Sequence, residues 1–155
     1  MEREATSRLK LRRRTLSLHN VVSLTLNLQD ADQLLEIIDG TVDEFRRALV
    51  RNGYYVTGPT VFRALPDSRD FTLMTTLGNR MNLVGAHGTG FEFNERLTLD
   101  TDYFYRHVDI DEPVPYDDIE RMLQEAGLTV QTIYHVILDV YGETMLDLYI
   151  EAVER

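Results

Sequence analysis

The sequence predicts an α+β fold: a duplicated β-α-β-β unit whose antiparallel sheet carries two helices on one face and a groove on the other. Three observations predict it. Segments with period-two alternation flank each of two amphipathic helical stripes. Each stripe ends at a glycine, in Gly53-Tyr54 and Gly127-Leu128, 74 positions apart, and a pair of strand-like segments follows each. A glycine-rich stretch, Gly78 to Gly90, separates the halves. Recurrence of one order at a fixed offset is the mark of an internal duplication. The expected organisation is a basic arm at residues 1–15 and one domain at 16–155. Within the domain, repeat one is 16–78, a linker is 79–98 and repeat two is 99–153.

The arm holds Arg3, Arg8, Lys10, Arg12, Arg13 and Arg14 against Glu2 and Glu4, a surplus of four positive charges. Short charge runs at termini are usually solvated, which is the ordinary reading here. Leu16–Leu28 then alternates as a strand, with Val22, Leu24, Leu26 and Leu28 on one face and Val21, Ser23, Thr25 and Asn27 on the other. Asp30 or Asp32 can cap a helix by accepting from orphan backbone N–H groups. That helix runs to about Asn52 on a stripe of Leu34, Leu35, Ile38, Val42, Phe45 and Leu49. Gly58-Pro59 is a turn signal, after which Thr60–Leu65 and Phe71–Leu77 form a hairpin around Pro66-Asp67. Gly85, Gly88 and Gly90 lack the spacing and the following helix of a phosphate-binding fingerprint.

Repeat two opens on Phe91–Leu99, a strand or an extended approach, and on Asp102–Ile110, a strand. There Phe104, Arg106, Val108 and Ile110 oppose Tyr103, Tyr105, His107 and Asp109. Pro113 and Pro115 mark a helix entry. Its buried stripe is Tyr116, Ile119, Met122, Leu123 and Ala126, and Asp117, Asp118 and Glu120 suit the positive end of its dipole. The last segment reads as a hairpin, Thr132–Tyr141 and Thr144–Val153 around Gly142-Glu143. Tyr134, Val136, Leu138 and Val140, with Leu146, Leu148 and Ile150, are expected to form an aliphatic face under the helices. Ile133, His135, Ile137, Asp139 and Tyr141, with Met145, Asp147, Tyr149 and Glu151, are expected on the groove side.

Composition narrows function. The net charge is −10, and removing the arm leaves −14 on the body. Such a body repels phosphate backbones, so the body is not expected to bind nucleic acid. No apolar run is long enough for a transmembrane helix, and the basic N-terminus lacks the apolar segment of a secretory signal. With no cysteine there is no disulfide and no thiolate chemistry, which fits a bacterial-type cytoplasm.

Several stretches carry a family likeness. Gly53-Tyr54-Tyr55-Val56-Thr57-Gly58-Pro59, His107 followed by Pro115-Tyr116, and Leu138-Asp139-Val140-Tyr141 resemble the GyrI-like superfamily, also called the SOUL or bacterial effector-binding-domain fold. Asn20-Val21-Val22-Ser23, together with Gly53–Pro59, is similar to a bacterial family of unknown function within it, some members of which are encoded near type VII secretion toxins. The first likeness implies a regulatory ligand-binding domain. The second implies an adaptor or chaperone for a secreted toxin. In drug-sensing relatives the acid matching Asp139 faces cationic ligands in an aromatic pocket.

The candidate site follows from that face. Tyr103, Tyr105, Tyr141 and Tyr149 could wall a pocket for a small organic cation through their ring faces. Asp139, Asp147 and Glu151 would supply the negative charge. The ordinary alternative is a solvated sheet face. His107, Asp109 and His135 share polar positions, but no metal-specific ligand spacing appears. Asp139 with Glu151 could form a carboxylate pair activating water, and some superfamily relatives are hydrolases. No nucleophile elbow or other catalytic motif supports this. The expectation is a non-enzymatic binding domain with no cofactor and no metal. Its partner would be a small organic molecule or a protein segment, and Tyr and Met on the same face also suit a homodimer.

Overall fold

The computed structural model of the chain describes residues 10–27, 40–64, 70–78 and 91–154. The caps at Asp30 or Asp32, the first half of the expected helix, the Pro66-Asp67 turn and the 79–90 stretch lie outside these residues. The order is β1 (Arg12–Asn27), α1 (Val42–Arg51), β2 (Val61–Ala64), β3 (Asp70–Thr76), β4 (Phe91–His107), α2 (Tyr116–Glu125), β5 (Leu128–Val140) and β6 (Glu143–Glu154).

All strand pairings are antiparallel, and the sheet closes into a barrel in the order β1-β3-β2-β5-β6-β4. The first half pairs β1 with β3 and β3 with β2. The second pairs β4 with β6 and β6 with β5. Two seams join the halves, β2 with β5 and β1 with β4. The β1–β4 seam is long because Phe91–Leu99 is the first half of a 17-residue strand, where the sequence alone allowed an extended approach. Closure along both seams leaves the halves with no free edges between them.

The described helices bury part of the stripes expected of them, and Ala126, expected in the second stripe, is exposed just past the end of α2. Val42, Phe45 and Leu49 bury one stripe of α1, and Ile119 and Leu123 bury one stripe of α2. Gly53 and Gly127 follow the helix ends at φ of 86° and 79°, a left-handed conformation that favours glycine. The Tyr54 amide donates to the Leu49 carbonyl at 3.0 Å, closing α1. Among the described residues no helix is long and apolar enough to cross a membrane.

Two buried clusters divide the core. Residues of both helices join Val22, Phe62, Phe71, Leu73, Leu77, Leu146, Leu148 and Ile150 in the first. The second comprises Leu16, Leu18, Val21, Val61, Met74, Leu99, Phe104, Tyr134, Val136 and Tyr149. All six strands and neither helix contribute to it, the arrangement of a closed sheet's inner face. Alternation along β1 breaks at Asn20, whose φ is 54°. Leu16 and Leu18 before it therefore share the inner cluster with Val21 after it.

The last hairpin differs from the expectation in a way that rearranges the site. Its two-residue turn is Tyr141-Gly142, with φ of 52° and 83°, the signs of a type I′ turn. Odd-numbered residues of β5 consequently face even-numbered residues of β6. Ile133, His135 and Ile137 stand opposite Ile150, Leu148 and Leu146, whereas Tyr134 and Val136 stand opposite Tyr149 and Asp147. Strand partners directly opposite share a face. The aliphatic row of β6 thus lies with His135 under the helices, and the Tyr134 row lies with Tyr149 and Asp147 on the side away from α1 and α2. Tyr134 and Val136 are buried there, not paired with the row expected for them.

Candidate functional site

On the inner face the cross-strand register assembles an aromatic and charged group. β4 and β6 place Phe104 opposite Tyr149 and Arg106 opposite Asp147. The Asp147 carboxylate is 5% exposed and accepts from Nε and Nη2 of the Arg106 guanidinium, at 2.8 and 3.0 Å, while the Arg106 side chain is 37% exposed. This two-point pairing satisfies a carboxylate that burial would otherwise penalise. The same hydrogen bond holds the guanidinium pKa above its ordinary value. Phe104 is fully buried and tilts against Tyr149, with centroids 5.0 Å apart. Arg12, Arg14 and Arg106 stand over the Phe104 ring at 5.4, 4.7 and 5.8 Å. Burial pushes the Tyr149 phenol up, with Arg14 and Arg106 pulling the other way. The opposite end of this face is polar. The Thr25 and Thr72 hydroxyls are 3.0 Å apart, and Arg63 donates to Thr72 at 3.4 Å.

Under the helices lies a second polar group. His135 is buried and stacks on Phe62 at 4.1 Å. Its Nδ1 donates to the Phe62 carbonyl at 3.3 Å, so its Nε2 accepts from the Tyr116 hydroxyl at 2.8 Å. Burial lowers the imidazole pKa to about 4, keeping the ring neutral, and raises the Tyr116 phenol. His107 is also buried. Its Nε2 donates to the Glu112 carbonyl at 2.8 Å, and its Nδ1 faces the Tyr105 hydroxyl at 3.4 Å. These contacts pin the 108–115 segment and the start of α2 to the sheet.

The expected site residues therefore separate. Asp147 and Tyr149 come together on the inner face, and Glu151 falls on the same row, half-buried opposite Thr132. Tyr103, Tyr105, His107 and His135 lie on the helix-covered side, where Tyr103 and Tyr105 pack against the first cluster. Asp139 is exposed near the hairpin end opposite Thr144, and Tyr141 occupies the turn, fully exposed. Asp139 and Glu151 do not meet as a carboxylate pair. Their partners Thr144 and Thr132 lie on opposite faces and far apart along the ladder. Among the described residues no group of three potential ligands is placed to hold a metal ion.

Sequence reasoning missed Arg106, Phe104, Tyr134, Arg12 and Arg14 at the inner site, and Tyr116 as the partner of His135. A two-residue turn at either Gly142-Glu143 or Tyr141-Gly142 sets even residues of β5 against odd residues of β6, and that parity would have put Tyr134 on the face of Tyr149. An arginine directly after the Tyr-Phe-Tyr run of β4 was the signal for a cross-strand acid.

No family model matches the sequence, and no curated protein matches it. The chain is similar in structure to the EcmrR C-terminal domain, with a TM-score of 0.61 and 11% identity over 95% of this chain and 99% of that one. It is similar to SAV2435, solved bound to tetraphenylphosphonium, with a TM-score of 0.50 and 11% identity over 93% and 94%. A hydrolase from Listeria innocua aligns at a TM-score of 0.44 and 10% identity over 98% and 97%. At these identities the first two likenesses establish a shared fold.

Proposed function

We propose that this chain is a non-enzymatic binding domain of the GyrI-like, effector-binding kind. It holds a small aromatic organic molecule on the inner face, against Phe104, Tyr134 and Tyr149 and beside the Arg106–Asp147 pair. The observation that carries this reading is that pair. A buried carboxylate with a half-open guanidinium, set among rings on the face that neither described helix covers, is a polar anchor of the type that orients ligands in apolar sites. The tetraphenylphosphonium held by SAV2435 supports an aromatic ligand for this fold. Equivalent strand pairing in the two halves supports the duplicated unit, with the inner face in the place of the expected groove.

Thermal denaturation against a panel of multi-ring organic compounds tests the reading. A ligand at about a hundredfold excess over its Kd stabilises a single site by about 2.7 kcal/mol, a readily measured rise in Tm. Tyr149→Leu, which keeps an apolar side chain, should remove most of the rise. A panel that leaves Tm unchanged, or a rise indifferent to Tyr149→Leu, overturns the proposal.

A second reading draws on a separate surface. Val108, Val140 and Tyr141 are exposed apolar side chains at the hairpin end, with Val108 and Gly142 lining one shallow hollow. An adaptor for a protein segment, such as a secreted toxin, would dock there. Tyr141→Asp should then abolish co-purification of the partner while leaving small-molecule binding intact. Unchanged co-purification removes this reading.

A further inference from the structure

We infer that the inner site of this chain selects aromatic anions over aromatic cations; the inference rests on the small-molecule reading above. A cation site needs a carboxylate whose charge is available. Here the buried carboxylate, Asp147, is already neutralised by Nε and Nη2 of Arg106. Two more guanidiniums, Arg12 and Arg14, stand over the same Phe104 ring. Neither has a carboxylate partner among the described residues, whereas the intervening Arg13 is paired with Asp100 on the other side of the strand. Arg63 brings a fourth guanidinium to this face, bound to a hydroxyl. Among the described side chains the acids on the same rows are Asp147 and, toward the rims, an exposed Glu92 opposite Ser23, an exposed Glu143 opposite Val140 and Glu151 opposite Thr132. The balance is positive around the Phe104 ring, where three guanidiniums meet one carboxylate, in a chain whose net charge is −10.

That reversal has a chemical consequence. An aromatic cation placed on Phe104 must displace guanidiniums from the ring and remain beside them, and the described carboxylate beside that ring, Asp147, is already paired. An aromatic anion gains in both respects. Its rings replace the arginine stems on Phe104 and Tyr149, and its charge keeps Arg12 and Arg14 as partners. Both arginines are exposed, so they can swing outward without breaking the sheet. The ligand class is a multi-ring organic acid: a carboxylate, sulfonate or phosphate on an aromatic body.

Tetraphenylborate and tetraphenylphosphonium test the sign of the site, because they share a shape and differ in charge. Calorimetric titration of the full chain in sodium buffer should show the borate binding at least about tenfold more tightly. In the double variant Arg12→Gln, Arg14→Gln the borate should weaken about tenfold, while the phosphonium holds or improves. Added salt should weaken the borate in the parent and much less in the variant. Tighter phosphonium binding, or a borate preference unchanged by the double variant, overturns the inference and leaves the small-molecule reading standing. Binding of neither ion, and of no other multi-ring compound, overturns both.

Discussion

His135 is the residue whose environment most constrains its chemistry. Both ring nitrogens are engaged, one with a backbone carbonyl and one with the Tyr116 hydroxyl, and burial holds its pKa at about 4. An unfolded chain titrates the same ring near 6.5. As pH falls below about 6.5 the unfolded state takes up the proton first, so stability declines until the folded ring also protonates near pH 4. The slope from this one group approaches about 1.4 kcal/mol per pH unit. Urea unfolding from pH 7 to 4.5 should show this decline relative to a His135→Gln reference, and parallel curves would contradict it. Tyr116→Phe removes one donor and leaves Nε2 unsatisfied, which should cost about 1–2 kcal/mol at pH 7. Asp147→Ala leaves Arg106 without its partner in a partly desolvated position. A loss of about 2–3 kcal/mol is expected, less than for a fully buried pair because Arg106 is partly solvated. Loss below about 0.5 kcal/mol in urea would show the pair to be a surface contact. Of the expected ligand residues, only Asp147 and Tyr149 share this anchor. Side-chain type marked them as candidates, but which face each occupied depended on partners far along the chain.

The decisive element is the β5–β6 hairpin. Its strands were readable from alternation alone, as were both helices from their stripes and their terminal glycines. The facing was not, because period two assigns residues to two faces without saying which rows of neighbouring strands coincide. That is fixed by the turn, and the turn by Gly142 at φ 83°, which only glycine adopts without strain. Gly142→Ala should therefore cost about 1 kcal/mol or more, and Gly142→Asn less, since asparagine tolerates the left-handed region. Both variants compared by thermal unfolding check the order; equal losses would mean the turn does not hold the register. The same limit hid Phe91–Leu99, whose strand character depends on pairing with Leu24–Leu16 of β1. Asn20 escaped for a related reason: a single left-handed residue swaps the faces of a strand without disturbing its apolar content.

At the scale of the molecule, the described elements run strand–helix–strand–strand in β1-α1-β2-β3 and again in β4-α2-β5-β6, each helix ending at a glycine that the sequence showed. Closure was not visible. Apolar patterning shows that a segment has a buried face, but the β1–β4 and β2–β5 seams join residues that no local pattern connects. The seams make the halves interdependent, so unfolding should be one cooperative transition, coincident by far-UV circular dichroism and by tyrosine fluorescence. Two separated transitions would indicate halves that hold on their own. Closure also creates the inner face on which the functional proposal rests, converging Phe104, Tyr134, Tyr149 and the Arg106–Asp147 pair from three strands. The most direct test of that claim is an NMR measurement of nuclear Overhauser contacts between a bound multi-ring ligand and the protein. Contacts from the ligand's aromatic protons to Phe104, Tyr134 and Tyr149 are predicted. Contacts confined to Val50 on α1, or to Val108 and Tyr141 at the hairpin end, would contradict the account.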